Sequence, residues 1–283
     1  MDFFTLTSKI EISGVGIHKG NNSTIKINPW LGGNIVLCWE GCGCTKNKYC
    51  LQINSSNYGI GNKTSIIQDG DLFIECPEHL FAAFCLLGIR SVKIVASPFS
   101  EIPVHPFGTS SYYDMLSREK ILLHKKRCKN KHNFSKIHEL LSKYKETNYI
   151  IEESDNFYCK VILDRPELKL NSFSSLVANK DGVFTLNENN VAAIASSRTW
   201  ITRNKLNGIS IGKGAHLTNW CRILDEDAFS DSKVGEECAR HKLYDLIGDL
   251  FPLGYLPKLK IIALNPSHRK NNILLKILSE TIV

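Results

Sequence analysis

The stretch Arg240 to Leu250, reading Arg-His-Lys-Leu-Tyr-Asp-Leu-Ile-Gly-Asp-Leu, constrains this chain most, because as a helix it carries two different rows of side chains. Leu243, Leu246, Ile247 and Leu250 recur at three- and four-residue spacing and form a stripe that requires burial. His241, Asp245 and Asp249 recur every fourth residue and share another face. A neutral imidazole and a carboxylate one turn apart can both bind a divalent ion, as the outer members of His-Glu-x-x-His do. A lone His-x-x-x-Asp is also the ordinary pattern of a solvated helix face, so further ligands must come from elsewhere in the chain.

The 283 residues suffice for two compact domains or one large one, and 43% hydrophobic with 22% charged residues is a soluble globular balance. Met1-Asp2-Phe3-Phe4 runs into strand-like sequence with no signal-segment pattern, and no run approaches the ~20 apolar residues of a membrane span. A cytoplasmic protein without a transmembrane segment is the expectation. Part of the formal charge of +7 is local, in Lys125, Lys126, Arg127, Lys129 and Lys131. No stacking aromatics are interleaved there, so the run reads as a solvated connection and not a nucleic-acid site. Ten cysteines in such a setting are expected to be reduced. Cys38, Cys42, Cys44 and Cys50 cluster closely enough to hold a structural zinc, although they lack paired Cys-x-x-Cys knuckles; buried or free thiols are the alternative.

Along the chain, strands are predicted within Ile10 to Asn28 on either side of Ser13-Gly14-Val15-Gly16-Ile17-His18-Lys19-Gly20, and at Asn34 to Trp39, Leu72 to Glu75 and Ser91 to Ala96. Pro77 to Leu87 reads as a helix opened by Pro77 and closed by Gly88. Glu78 and His79 are then first-turn neighbours pointing about 100° apart, able to serve one centre in different roles. A turn-rich segment from Glu101 leads to a helical run ending near Leu123, and residues 124–134 read as a basic linker between domains 1–123 and 135–283. The second half continues with a helix at Ser135 to Lys145 and strands at Tyr149 to Ile151, Phe157 to Leu163 and Val183 to Leu186. A short helix follows at Asn189 to Ser196, then a strand within His216 to Leu224 and the helix Glu236 to Leu250. Lys258 to Leu264 reads as a strand, Asn265 to His268 as a turn and Asn272 to Leu278 as a terminal helix. The order implies an α+β protein of two halves with similar make-up.

Cys76-Pro77-Glu78-His79-Leu80 with Leu86-Leu87-Gly88-Ile89 resembles the Thr-Val-Glu-His-Leu segment of the UDP-3-O-acyl-N-acetylglucosamine deacetylase (LpxC) family, zinc amidases of lipid A synthesis. Further segments match the same family in the same order: Ser13 to His18, Glu101-Ile102-Pro103, Arg198-Thr199, Leu224-Asp225-Glu226, Arg240-His241-Lys242 with Asp245 and Gly248-Asp249-Leu250, and His268 with Asn271-Asn272. Together they span nearly the whole chain. The resemblance implies two similar layered α+β domains with the active site between them. It makes His79, His241 and Asp245 the ligands of Zn2+, Glu78 the general base and His268 the acid, oriented by Asp249. Thr199 would stabilise the oxyanion together with the metal, and Lys242 would reach polar groups of a nucleotide-sugar lipid precursor.

An acyl passage is implied at about residues 200–214, with Ile201, Leu206, Ile209 and Ile211 as candidate lining and Trp200 as a further substrate-side candidate; packing of an ordinary core is the alternative. Ile17 and Asn219, the latter in Leu217-Thr218-Asn219 where the family has Leu-Asp-Asn, complete the substrate-side candidates. The Asp that the family carries after the Glu-Ile-Pro segment is missing from Val104 to Thr109, Trp200 replaces Phe, and Ser267-His268 replaces a Gly-His turn. Residues 124–155 show no clear counterpart. A diverged deacetylase acting on another N-acyl sugar is therefore one alternative. A zinc-stabilised or nucleic-acid-binding protein is another, but neither requires Glu78 and His268. A monomer is the expected state.

Overall fold

The computed structural model describes residues 2–40, 50–60, 65–103, 110–125, 131–178, 184–186, 191–202, 221–224 and 231–283. These form an α+β fold around two five-stranded sheets, one built from each half of the chain. In the first, Ile10–Val15 pairs antiparallel with Asn22–Pro29, which pairs antiparallel with Val92–Ala96. That strand runs parallel to Ile35–Trp39, and Cys50–Gln52 closes the order as an antiparallel edge. Alternation decides which face is inward: Ile10, Ile12, Ile25 and Ile27 are buried, while Glu11 and its cross-strand partner Lys26 face outward.

In the second sheet the order is Tyr149–Glu153, Leu259–Leu264, Phe157–Arg165, Leu170–Ala178 and Phe184–Leu186. Leu259–Leu264 is antiparallel to the first of these and parallel to Phe157–Arg165, just as Val92–Ala96 is antiparallel to one neighbour and parallel to the other. Each of these two inserted strands follows a helix. Helix α1 (Glu78–Leu87) precedes Val92–Ala96, α2 is Ser110–Glu119, α3 Phe134–Lys143 and α4 Ala192–Ala195; α5 (Ser232–Leu250) precedes Leu259–Leu264, and α6 is His268–Glu280. The two halves thus share a topological unit that their residues do not reveal, with α1 and α5 as equivalent elements. Buried side chains from both halves, from Leu6 to Leu278, form one continuous core.

Smaller sheets complete the fold. Tyr58–Ile60, Ser65–Asp69, Leu72–Glu75 and Ser100–Glu101 make a four-stranded sheet, Asp2–Leu6 pairs with Lys120–Lys125, and Thr199–Thr202 runs parallel to Cys221–Leu224. Among the described residues no helix is long and apolar enough to cross a membrane.

Several elements differ from the sequence reading. The helix expected to reach Leu123 ends at Glu119, because Lys120–Lys125 is taken up by pairing with the first strand. Leu170–Ala178 was hidden by its Asn and Ser content; Ser174 and Ser175 are buried at positions where an apolar residue would have announced a strand. Helix α5 begins at Ser232, where Asp231 accepts from the Lys233 amide, and α6 begins at His268, capped by Ser267, so the expected turn there ends inside a helix. The cysteine cluster is corrected too. Cys38 and Cys50 are cross-strand partners and form a disulfide, which removes two thiolates from the supposed zinc set; Cys42 and Cys44 lie outside the described residues. Cys76, Cys85, Cys159 and Cys238 are buried thiols outside the disulfide.

Candidate active site

Helix α1 is buried along its whole length and packs against α5. The crossing is close because α5 has a glycine at the contact: a Cβ on Gly248 would lie 1.9 Å from the carbonyl oxygen of Glu78. This approach sets the first turn of α1 against the polar row of α5. His79 Nε2 lies 3.0 Å from Asp245 Oδ1, and His241 Nε2 lies 3.4 Å from the same oxygen. The donor atoms of His79, His241 and Asp245 all fall within 4.8 Å of one another, and all three residues are buried.

The surroundings fix how these groups point. His241 Nδ1 donates to the Ser197 carbonyl at 2.9 Å, which leaves Nε2 for the centre. The His79 ring stacks on Tyr244 with centroids 5.8 Å apart. Burial, with Asp245 opposing and His79 assisting, pushes His241 down to about 4, so its imidazole is neutral. Burial alone would raise the Asp245 carboxyl, but Lys242 and His241 outweigh it and hold it well below the usual carboxylate range. Lys242 Nζ donates to Asp245 Oδ2 at 2.7 Å. A neutral imidazole and an ionised carboxylate are the states that bind a metal, and two nitrogens with one oxygen match the three-ligand set of catalytic zinc sites. The residues fit the ion.

Two further groups flank this cluster. Glu78 is buried, with Oε1 3.8 Å from His268 Nε2. Burial raises its pKa, and His268 and His79 offset only part of the rise. His268 Nδ1 is 2.9 Å from Asp249 Oδ2. Burial opposes charge on His268, yet Asp249 and Glu78 prevail and its pKa is pushed up to about 9. The site therefore pairs a carboxyl group of raised proton affinity with a cationic imidazole.

Other expected positions are placed less directly. Thr199 opens the strand beside Ser197, the residue that orients His241. Trp200 is half-buried, with Lys242 Nζ 5.7 Å from its ring centroid. Ile17 is buried in the glycine loop, where the His18 and Lys19 amides each donate to the Glu101 carboxylate at 3.2 Å. The segments Ser13 to His18 and Glu101 to Pro103 thus meet in space, and Gly16 allows it, since a Cβ there would be 1.8 Å from Glu101 Oε2. Ile201 contributes its backbone to the strand beginning at Thr199, but its side chain lies outside the described set. Leu206, Ile209, Ile211 and Asn219 also lie outside the described residues.

Glu237 was missed. It sits one turn before His241, extending the polar row, and accepts from Arg198 Nε at 2.8 Å and from the Arg198 amide at 3.1 Å. Its spacing of four was available in the sequence. Tyr58 and Ser65, which hydrogen-bond Asp249, carried no such signal.

The profile of the family described as LpxC, UDP-3-O-acyl N-acetylglycosamine deacetylase, matches residues 4–280. The UDP-3-O-acyl-N-acetylglucosamine deacetylase of Helicobacter hepaticus is 26% identical over 96% of this chain and 88% of its own length. The protein of the same name from Helicobacter pylori is 28% identical over 96% and 89%. That from Chlamydia trachomatis is 25% identical over 94% and 91%.

Proposed function

The chain belongs to the UDP-3-O-acyl N-acetylglycosamine deacetylase family, and from that premise we propose that it uses zinc to hydrolyse the N-acetyl amide of UDP-3-O-acyl-N-acetylglucosamine in lipid A synthesis. The observation that carries this reading is the convergence of His79, His241 and Asp245 within 4.8 Å, with Glu78 and His268 beside them. His79, His241 and Asp245 would hold the ion. Zinc, when bound, supplies Lewis-acid polarisation of the amide carbonyl and lowers the pKa of water to about 7.

The rest of the chemistry belongs to the chain. Glu78 removes a proton from the attacking water, a role favoured by its buried, more basic carboxylate. Thr199 donates toward the developing oxyanion. His268 delivers its proton to the leaving amine, and Asp249 holds the imidazole in the orientation that does so. Lys242, anchored on Asp245, reaches polar groups of the substrate, while Trp200, Ile17, Ile201, Ile209 and Asn219 form its sugar and acyl contacts.

Purified protein should release acetate and the free amine from UDP-3-O-acyl-N-acetylglucosamine with one zinc per chain, lose activity to a chelator and regain it with zinc. Acetate release from a simpler N-acetyl sugar but not from this substrate would replace the substrate assignment.

A pH dependence follows from His268. Its folded-state pKa, about 9, lies above the ordinary 6.5, so the cation is favoured by folding. The associated stabilisation is full below the ordinary value and is lost as pH rises through about 9, together with the acid needed for turnover. A kcat profile should therefore fall on its alkaline side near that pH, and His268→Gln should abolish this limb; an unchanged limb in the variant would assign it to another group.

A further inference from the structure

Asp249 is fully buried, and its two oxygens accept four hydrogen bonds from the protein. Oδ1 receives Tyr58 Oη at 2.7 Å and Ser65 Oγ at 2.5 Å; Oδ2 receives His268 Nδ1 at 2.9 Å and Asn271 Nδ2 at 2.7 Å. A carboxylate offers about four lone-pair positions, so this one is saturated. The donors come from both halves of the chain. Tyr58 and Ser65 belong to the four-stranded sheet of the first half, and Asn271 and His268 to α6.

Each donor is itself held. Asn272 Nδ2 donates to the Tyr58 carbonyl at 3.3 Å, and Tyr149 Oη donates to Asn271 Oδ1 at 2.5 Å, which turns the Asn271 amide nitrogen toward Asp249. Burial, reinforced by the Asp249 and Glu78 carboxylates, raises the Tyr58 phenol well above its ordinary range, so it remains a donor.

We propose that Tyr58 and Ser65 are positioning residues of the reaction, whose hydroxyls saturate Oδ1 of Asp249 and thereby fix the acceptor that orients His268. This rests on the deacetylase reading, in which His268 is the acid. Neither hydroxyl is placed to touch substrate, since Tyr58 and Ser65 are 1% and 0% exposed. Their influence passes through Asp249. The charged groups facing His268 are Glu78 from α1 and Asp249 and Asp245 from α5; Asp249 in turn acts on Glu78, Tyr58, Tyr149 and Lys242.

Removing a donor from Oδ1 leaves more negative charge for His268 to feel. The imidazolium then gives up its proton less readily, which makes it a weaker acid. Tyr58→Phe and Ser65→Ala each delete one hydroxyl and keep the remaining side chain. In the zinc-loaded protein, each is expected to raise the His268 titration midpoint, followed by NMR of the labelled imidazole, by about 0.5. Each should also lower kcat about three- to tenfold with KM unchanged, and move the alkaline limb upward by the same amount.

A merely structural role would lower thermal stability and leave the His268 midpoint in place. An unmoved or lowered midpoint in both variants, in a protein that deacetylates, overturns the proposal. If the wild-type protein does not deacetylate but the midpoint still rises in both variants, the hold on Asp249 is supported and the deacetylase reading is the one that fails.

Discussion

Glu78→Gln is expected to keep one zinc per chain and to lose about 10²–10⁴ in turnover, whereas Asp245→Ala loses the metal together with the activity. The two residues are nearly in contact with the same centre, so the contrast depends on how each points. Glu78 and His79 are consecutive on α1 and therefore face directions about 100° apart. His79 Nε2 meets Asp245 at 3.0 Å, while the Glu78 carboxylate turns toward His268, 3.8 Å away. Gln keeps the shape and a carbonyl acceptor but cannot take a proton, so it tests the base without opening a cavity.

Asp245 is different. It lies within 3.0 Å of His79 Nε2, 3.4 Å of His241 Nε2 and 2.7 Å of Lys242 Nζ. Without that carboxylate two imidazoles and an ammonium face one another with no anion between them, and a cation has no reason to bind. Metal content by elemental analysis, read beside kcat for the two variants, checks the assignment. Equal metal loss in both would place Glu78 among the ligands and remove it as the base.

The sequence made much of this arrangement legible because α5 carries its chemistry at a single period. His241, Asp245 and Asp249 share a face by spacing alone, and the leucine stripe shows that the helix has a buried side. The spacing could not show that the polar row is buried as well. That depends on α1, more than a hundred and fifty residues earlier, and on the glycine that admits it. The partners of Asp249 were illegible for the same reason: Tyr58 and Ser65 are separated from it by 191 and 184 residues and lie on short strands with no distinctive pattern.

Cys38 and Cys50 misled in the opposite direction. Their proximity in sequence suggested a metal knuckle, but strand pairing places them opposite one another, and a cross-strand pair of thiols is as well disposed to a disulfide as to an ion. Leu170–Ala178 failed because its inward positions include Ser174, paired with the buried Val161, which burial tolerates and periodicity does not detect. Local pattern sufficed where one element carries the whole signal. Contacts assembled from several elements left no trace in it.

Gly248→Ala is expected to damage both the fold and the metal site, against the ordinary effect of that change. Within a helix, replacing Gly by Ala usually stabilises by roughly 0.5–1 kcal/mol, because glycine loses the most backbone freedom on folding. At Gly248 the new Cβ would lie 1.9 Å from Glu78 O, 2.7 Å from its carbonyl carbon and 3.1 Å from its Cα. Those are backbone atoms of the first turn of α1, and no rotamer change can relieve them. Overpacking of this kind costs about 1–3 kcal/mol or more, enough to outweigh the helix gain.

Relief requires α1 to move away from α5, and its first turn carries both Glu78 and His79. Displacement of a reacting group by about 1 Å can cost 10²-fold in rate, so the expected result is a lower melting temperature, zinc affinity reduced at least about tenfold and kcat down by about 10²-fold. Gly235→Ala is the control in the same helix, since its Cβ would meet only side-chain atoms, Leu170 Cδ1 and Ser172 Cβ, each at 3.1 Å. Thermal melts and zinc titrations of the two variants separate a general helix effect from one confined to the crossing. A neutral or stabilised Gly248→Ala protein with wild-type zinc affinity would mean that the close approach of α1 and α5 does not set the geometry of the centre.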